Sequence, residues 1–214
     1  MTDHETLLNV AAIRVGTRVN GPGLRAAIWV QGCTLRCPGC FNPGTHPHEP
    51  KDFWVPARLA ERLAQPGIEG ISVLGGEPFQ QAAACARLAM RARELGASVV
   101  TYSGYTWKYL RECGLTEVRA LLEATDLLIA GPYVAAQATD GNGWRGSANQ
   151  EFVFLTGRYG PVDIDATANL PVMEMKSDGR LLDWTGIPAE TDLEADCSLM
   201  ALGSNSSRTI YRIS

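Results

Sequence analysis

Three cysteines within eight residues, Cys33, Cys37 and Cys40, are the part of this sequence best suited to chemistry. They stand in Gly32-Cys33-Thr34-Leu35-Arg36-Cys37-Pro38-Gly39-Cys40-Phe41-Asn42, a C-x3-C-x2-C spacing. The neighbouring glycines let the backbone curl so that three sulfurs can meet. Two metals suit such a group. A structural zinc ion takes four ligands, commonly three cysteines and one histidine, and His46 and His48 follow close enough to complete that set. A [4Fe–4S] cluster is held by thiolates, and three of them would leave one iron open to a substrate. The other cysteines, Cys85, Cys113 and Cys197, are scattered. Cys85 and Cys113 fall in or near expected helices and read as small core residues, and Cys197 has no cysteine neighbour for a second cluster.

The remaining composition narrows the setting. Nineteen Lys and Arg against 23 Asp and Glu give a net charge of -4 over 214 residues. No Lys/Arg run appears, so neither nucleic acid nor an anionic membrane surface is an expected partner. The longest apolar stretches fall far short of the roughly 20 residues a membrane span needs. Met1-Thr2-Asp3-His4-Glu5 lacks the basic and apolar parts of a secretory signal. A cytoplasmic protein with reduced thiols is expected, and a disulfide framework is not. The five tryptophans are dispersed and make no stacking stripe for nucleic acid.

The elements that must position the cysteines follow from hydrophobic spacing. Leu7–Val19 holds short apolar segments and leads into the turn Asn20-Gly21-Pro22-Gly23. Ala26–Val30 is a continuous apolar run of the kind a strand buried on both faces requires, and the cysteine loop follows it. The pattern then predicts a helix over 55–65, a strand over 68–74 ended by Gly75-Gly76, and a long helix over 79–95 closed by Gly96. A strand over 97–102, helices over 106–113 and 116–124, and strands over 126–130 and 152–155 complete it. Strands alternating with helices imply parallel βαβ units, in an incomplete (β/α) barrel or an open α/β sheet. In either, loops leaving the C-terminal strand ends build the active site. The cysteine loop, Gly75-Gly76-Glu77-Pro78 and Ser103 all lie at such ends.

With these residues in place, the chain resembles the radical S-adenosylmethionine enzymes, whose hallmark is C-x3-C-x2-C after the first barrel strand. More closely, it is similar to activating enzymes of glycyl-radical proteins, especially the activases of anaerobic ribonucleotide reductase. The blocks carrying the resemblance are Gly21-Pro22-Gly23-Leu24-Arg25, Cys37-Pro38-Gly39-Cys40-Phe41-Asn42, Gly75-Gly76-Glu77-Pro78, Tyr102-Ser103-Gly104-Tyr105-Thr106, Asp126–Tyr133 and Arg145-Gly146-Ser147-Ala148-Asn149-Gln150. The resemblance implies an α/β fold with an incomplete (β/α) barrel over residues 1–156; the pattern beyond it, short apolar pairs broken by Gly, Pro and Asp, reads as a β-rich C-terminal extension over 157–214. The resemblance also implies that Cys33, Cys37 and Cys40 hold a [4Fe–4S] cluster whose open iron is chelated by S-adenosylmethionine. The cofactor site would draw on Gly39, Phe41, Gly75, Gly76, Glu77, Pro78 and Ser103. Glu77 would meet the amino group, Phe41 would pack near the adenine, and Ser103 would reach the carboxylate or ribose, or else cap the following helix. Reductive cleavage would give a 5'-deoxyadenosyl radical that abstracts a hydrogen atom, most simply from a glycine of a partner protein. A low-potential flavodoxin or ferredoxin would supply the electron.

The extension departs from the minimal activases, which end near the Gly146-Ser147-Ala148-Asn149-Gln150 block. It reads as hairpins packed on the core, covering a sheet edge, capping the site or docking a different substrate. Two rival functions therefore stand beside the activase: a radical enzyme acting on a peptide or small molecule, and a non-catalytic zinc-stabilised binding module.

Overall fold

In the computed structural model, residues 6–139, 144–165, 173–177 and 182–186 are described. Strand β1 (Leu8–Thr17) runs antiparallel to β2 (Arg25–Val30), and the short β3 (Asp52–Trp54) pairs on the outer side of β1. Helix α1 (Pro56–Leu63) leads to β4 (Gly70–Leu74), α2 (Ala82–Glu94) to β5 (Ser98–Ser103), and α3 (Trp107–Glu112) with α4 (Thr116–Glu123) to β6 (Leu127–Ala130). β2, β4, β5 and β6 are parallel neighbours, and β7 (Glu151–Phe154) returns antiparallel beside β6. The result is a seven-stranded mixed sheet in the order β3-β1-β2-β4-β5-β6-β7. A one-turn helix, α5 (Pro161–Asp165), and a separate antiparallel hairpin, β8 (Met173–Ser177) with β9 (Leu182–Gly186), follow. No helix among the described residues is long and apolar enough to cross a membrane.

The mixed α/β architecture is as expected, and the departures have local causes. The segment over 7–19 is one ten-residue strand, whose alternation is broken by register shifts at Val10/Ala12 and Val15/Thr17. Irregularities of that kind erase the period-two signal. The helix expected over 79–95 begins as a 3-10 turn, Pro78–Gln81, before α2. β3 has three residues, too few to show any period.

Side chains divide cleanly between the two faces. Ile28, Ile71, Val73, Val99 and Leu128 pack under α1, α2 and α4 in the main core. On the other face Trp144 and Tyr159 meet Val100, Leu127 and Ile129, while Ala27, Trp29 and Leu74 form a smaller cluster of their own. Cys85 lies wholly buried in α2, and the thiol of Cys113 donates to the Leu110 carbonyl at 3.4 Å, so both serve as small core residues. Cys197, His4 and the stretch over 140–143 lie outside the described residues.

The N-terminal ends of the parallel strands are drawn together by Arg25, which is wholly buried. Its Nε donates to Ser72 Oγ (2.8 Å), and Nη1 donates to the Pro22 carbonyl (2.8 Å), Ser98 Oγ (3.0 Å) and the Tyr159 hydroxyl (3.2 Å). Its Nη2 donates to the carbonyls of Ile71 and Ser98. Burial pulls the guanidinium below its ordinary pKa, with the Tyr159 hydroxyl opposing. We expect Arg25→Met to lower the stability of the cluster-free protein by about 3 kcal/mol or more, because several buried acceptors lose their donor at once. Urea unfolding measures it, and a loss below about 1 kcal/mol would show that other contacts hold these strand ends.

Candidate functional site

The C-terminal strand ends surround one pocket. Its wall includes Cys33, Cys37, Cys40 and Phe41 from the loop after β2, Gly75, Gly76 and Glu77 after β4, Ser103 and Gly104 at the end of β5, and Gly131 and Tyr133 after β6. Eight of the ten residues singled out by the sequence thus share one wall. The other two, Gly39 and Pro78, stand beside it. A Cβ at Gly39 would lie 3.5 Å from the side chains of Tyr133 and Ala135, and Pro78 opens the 3-10 turn.

The cysteine loop is fastened to the sheet by backbone hydrogen bonds. Gly32 N donates to the Thr45 carbonyl (2.8 Å), Cys33 N to the His46 carbonyl (3.1 Å), and Glu77 N to the Gly32 carbonyl (2.9 Å). Thr45 Oγ1 also accepts from Gly76 N at 2.6 Å, so one threonine joins the loops after β2 and β4. Gln80 does the same further out. Its Oε1 accepts from Thr34 N (3.2 Å), and its Nε2 donates to Thr34 Oγ1 (2.6 Å) and the Tyr105 hydroxyl (2.9 Å). Neither residue carries a motif signal, which is why spacing alone does not find them.

The three thiols are free. Burial pushes the Cys33 and Cys40 thiols up, opposed at Cys33 by the backbone N–H groups of Arg36 and Leu35 and at Cys40 by that of Asn42. Neighbouring thiolates raise both further. Amide donors aimed at sulfur stabilise a thiolate once a metal neutralises it, as outer-shell donors commonly do. The donor set therefore fits a soft, thiolate-bound iron–sulfur group. Among the described residues no three His, Cys, Asp or Glu side chains gather as the ligands of a single ion. His46 lines the same pocket, its pKa held down by burial and then by Arg36.

Glu77 is wholly buried. Its Oε1 accepts from Phe79 N (3.0 Å) and Ser103 Oγ (2.9 Å), and its Oε2 accepts from Gly104 N (2.8 Å). Desolvation pushes its carboxyl up to about 7, against the pull of these three donors. Ser103 gives its proton to Glu77 and accepts from Tyr105 N (3.0 Å), while Thr106 caps α3. The capping alternative for Ser103 thus falls to Thr106.

The two glycines are required by the protein itself. At Gly75 (φ +62°) a Cβ would strike the Trp29 ring, and at Gly76 (φ +48°) it would lie 2.5 Å from the Val30 carbonyl oxygen and 2.7 Å from that of Gly32. Phe41 packs on Tyr133 with ring centroids 4.8 Å apart, and both line the pocket. Gln150 anchors the last loop: its Oε1 accepts from Gly146 N (2.8 Å) and Ser147 N (3.2 Å), and its Nε2 donates to the Gly131 carbonyl (3.0 Å). Sequence reading also missed the pocket's far wall, formed by Val19, Asn20, Trp144, Thr185 and Gly186.

An α/β sheet with a thiol-lined pocket at its C-terminal strand ends suits a thiolate-bound metal centre, and comparison with known sequences specifies the family. The profile described as a 4Fe-4S single cluster domain matches residues 19–153, and the chain belongs to that family. It is similar to the anaerobic ribonucleoside-triphosphate reductase-activating protein of Vibrio cholerae, 32% identical over 144 residues that make up 62% of this chain and 88% of that one. The protein of the same name from Escherichia coli K12 is 30% identical over 141 residues, 62% of this chain and 89% of its own. That of Enterobacteria phage T4 is 29% identical over 139 residues, 62% and 85%.

The Glu77 environment generates a pH prediction. An unfolded glutamate titrates near its ordinary value of 4.5, the folded one at about 7. Between these values the folded state keeps a proton that the unfolded state has released, so stability falls as pH rises through that window. We expect Glu77→Gln to flatten this slope by about 2–3 kcal/mol between pH 5 and 7.5. Urea midpoints of both proteins at the two pH values check it; parallel pH dependences would show that Glu77 is ionised throughout.

Proposed function

We propose that this protein is a radical S-adenosylmethionine activase that installs a glycyl radical on a partner protein, an anaerobic ribonucleoside-triphosphate reductase being the first candidate. The observation that carries the proposal is the meeting of Cys33, Cys37 and Cys40 with the Gly75–Glu77 strand end in one pocket. We assign the three thiolates as ligands of the [4Fe–4S] cluster, in a core over residues 1–156 that corresponds to a partial barrel. Held by Cys33, Cys37 and Cys40, such a cluster would supply the electron for reductive cleavage of S-adenosylmethionine and so the radical chemistry for glycyl hydrogen abstraction.

The protein's own part is binding and exclusion. The Gly75-Gly76 turn would let the cofactor's amino group come close to the backbone, and the Glu77 carboxylate behind it favours a positive charge in the pocket. Because cation binding favours the ionised form of Glu77, affinity for S-adenosylmethionine should rise with pH through about 7. Phe41 and Tyr133 offer an apolar flank for the adenine, and Ser103 holds Glu77 in place. The exposed outer side of the cysteine loop, with Thr34 and Arg36, is where an electron donor such as a flavodoxin or ferredoxin would approach.

Anaerobic reconstitution with iron and sulfide, followed by reduction in the presence of S-adenosylmethionine and the reductase, tests this reading. We expect brown protein, 5'-deoxyadenosine, and a glycyl radical signal on the partner. Colourless, zinc-bound protein without product would overturn it in favour of a binding module. 5'-Deoxyadenosine with a modified peptide or small molecule, and no glycyl radical, would move it to another radical reaction. Cys33→Ala, Cys37→Ala and Cys40→Ala should each abolish cluster assembly and cofactor cleavage, whereas Cys85→Ala should keep both. Activity in Cys37→Ala would remove that residue from the ligand set. Glu77→Gln should assemble the cluster yet bind S-adenosylmethionine about tenfold more weakly, with its affinity no longer rising through pH 7.

A further inference from the structure

The β8–β9 hairpin lies beyond residue 153, where the family match ends, yet two of its residues, Thr185 and Gly186, line the pocket. Two polar contacts seat it on the loop between β1 and β2. Arg18 N donates to Glu174 Oε1 at 2.9 Å, and Thr185 Oγ1 donates to Asn20 Oδ1 at 2.9 Å. Thr17 Oγ1 donates to the same Asn20 oxygen at 3.2 Å, and the Asn20 carbonyl accepts from Ser72 Oγ at 2.6 Å. Asn20 is therefore gripped from the core strand β4, from β1 and from the hairpin. Arg18 is held on its other side, its carbonyl accepting from Trp144 Nε1 at 3.3 Å. Thr185 is 1% exposed and Asn20 6%. The pocket-facing part of this wall, Val19, Asn20, Thr185 and Gly186, carries no charge, and it cannot retreat without breaking the buried hydrogen bond between Thr185 and Asn20.

We propose that the hairpin, fixed through Thr185, is a specificity-determining wall of the pocket that positions the hydrogen donor, its uncharged face admitting an uncharged segment of that donor. Thr185 acts as a positioning residue through Asn20. The proposal rests on the activase reading and deepens it by naming the part of this chain that would hold the donor segment against the site. A fixed wall also keeps water and loose hydrogen donors from the pocket, so that each cofactor cleaved delivers its hydrogen abstraction to the intended carbon.

Two measurements on the full-length chain test it. The first is hydrogen exchange of the Arg18 amide in cluster-free protein, which needs no activity. We expect protection in the wild type and exchange at least about tenfold faster in Glu174→Ala and Thr185→Val, with Thr185→Ser close to wild type. An unprotected Arg18 amide in the wild type would overturn the proposal. The second is the ratio of glycyl radical formed on the reductase to 5'-deoxyadenosine released, together with the KM for the reductase. Thr185→Val should bind its full complement of iron while that ratio falls about fivefold or more and the KM rises; Thr185→Ser should restore both. An unchanged ratio and KM in Thr185→Val, with Arg18 released, would overturn the proposal and leave the activase reading standing. Wild-type protein that cleaves the cofactor but leaves no radical on glycine would overturn both, and the wild-type control separates that case from the others.

Discussion

The buried carboxylate of Glu77 is the contact on which the pocket depends. It sits just after β4, takes the Gly104 amide and the Ser103 hydroxyl from the end of β5, and caps its own 3-10 turn through Phe79 N. Two parallel strands that would otherwise splay where their ladder ends are thereby held at a fixed separation. A carboxylate without surface pays heavily for its charge, and three donors only partly offset the loss of water. Hence the pKa near 7, poised between neutral and ionised. A neutral residue in its place could not accept three hydrogen bonds and also favour a cationic ligand. The cost in the empty protein is the complement of the gain in the loaded one.

The opposite ends of the same strands are closed by different chemistry. Arg25 spans β2, β4 and β5 with six hydrogen bonds to hydroxyls and carbonyls, and Tyr159 from beyond β7 joins the network. Guanidinium is the side chain suited to this work, because its planar fork donates in several fixed directions and is weakly hydrated for a cation. The sheet is thus locked at its N-terminal end by a cation that meets neutral acceptors and no ligand. At its C-terminal end it is held by an anion that lies beneath the pocket. Rigidity at one end and charge at the other agree with the general division of labour in α/β sheets, where stability and ligand binding occupy opposite edges.

Much of this was legible from residue types. The strands over 26–30, 68–74, 97–102 and 126–130 lie within a residue or two of β2, β4, β5 and β6, because strands covered on both faces read as plain apolar runs. The cysteine loop and Gly75-Gly76-Glu77 were legible because their chemistry restricts residue type. β1 was not, since two register shifts destroy its alternation. Thr45 and Gln80 were not, since a hydroxyl and a carboxamide become informative only when the chain has brought their partners, Gly76 and Thr34, within reach. The structure adds to the glycines a constraint that does not depend on a cofactor. A Cβ at Gly76 would meet the Val30 and Gly32 carbonyls, so the protein demands glycine there whether or not a ligand is bound.

The loop that carries the cysteines is organised without help from a metal. In small metal-dependent modules the binding free energy of the metal is folding free energy, and the site does not exist without it. In this chain the cysteine loop is already tied to the sheet through Gly32, Cys33, Thr45 and Gln80, by contacts that involve no sulfur. Cys33 is the most enclosed of the three thiols, at 7% exposure, and its amide is fixed by the His46 carbonyl. Cys37 and Cys40 sit on the more open part of the loop, past Arg36, whose φ of +46° turns the chain between the first cysteine and the second. A β-carbon in that region of backbone space costs on the order of 1 kcal/mol, and Arg36 bears it because the turn brings the sulfurs to one wall. The scaffold therefore meets most of the ordering cost in advance, and a cluster arriving at this site would have little left to organise beyond the three thiolates themselves.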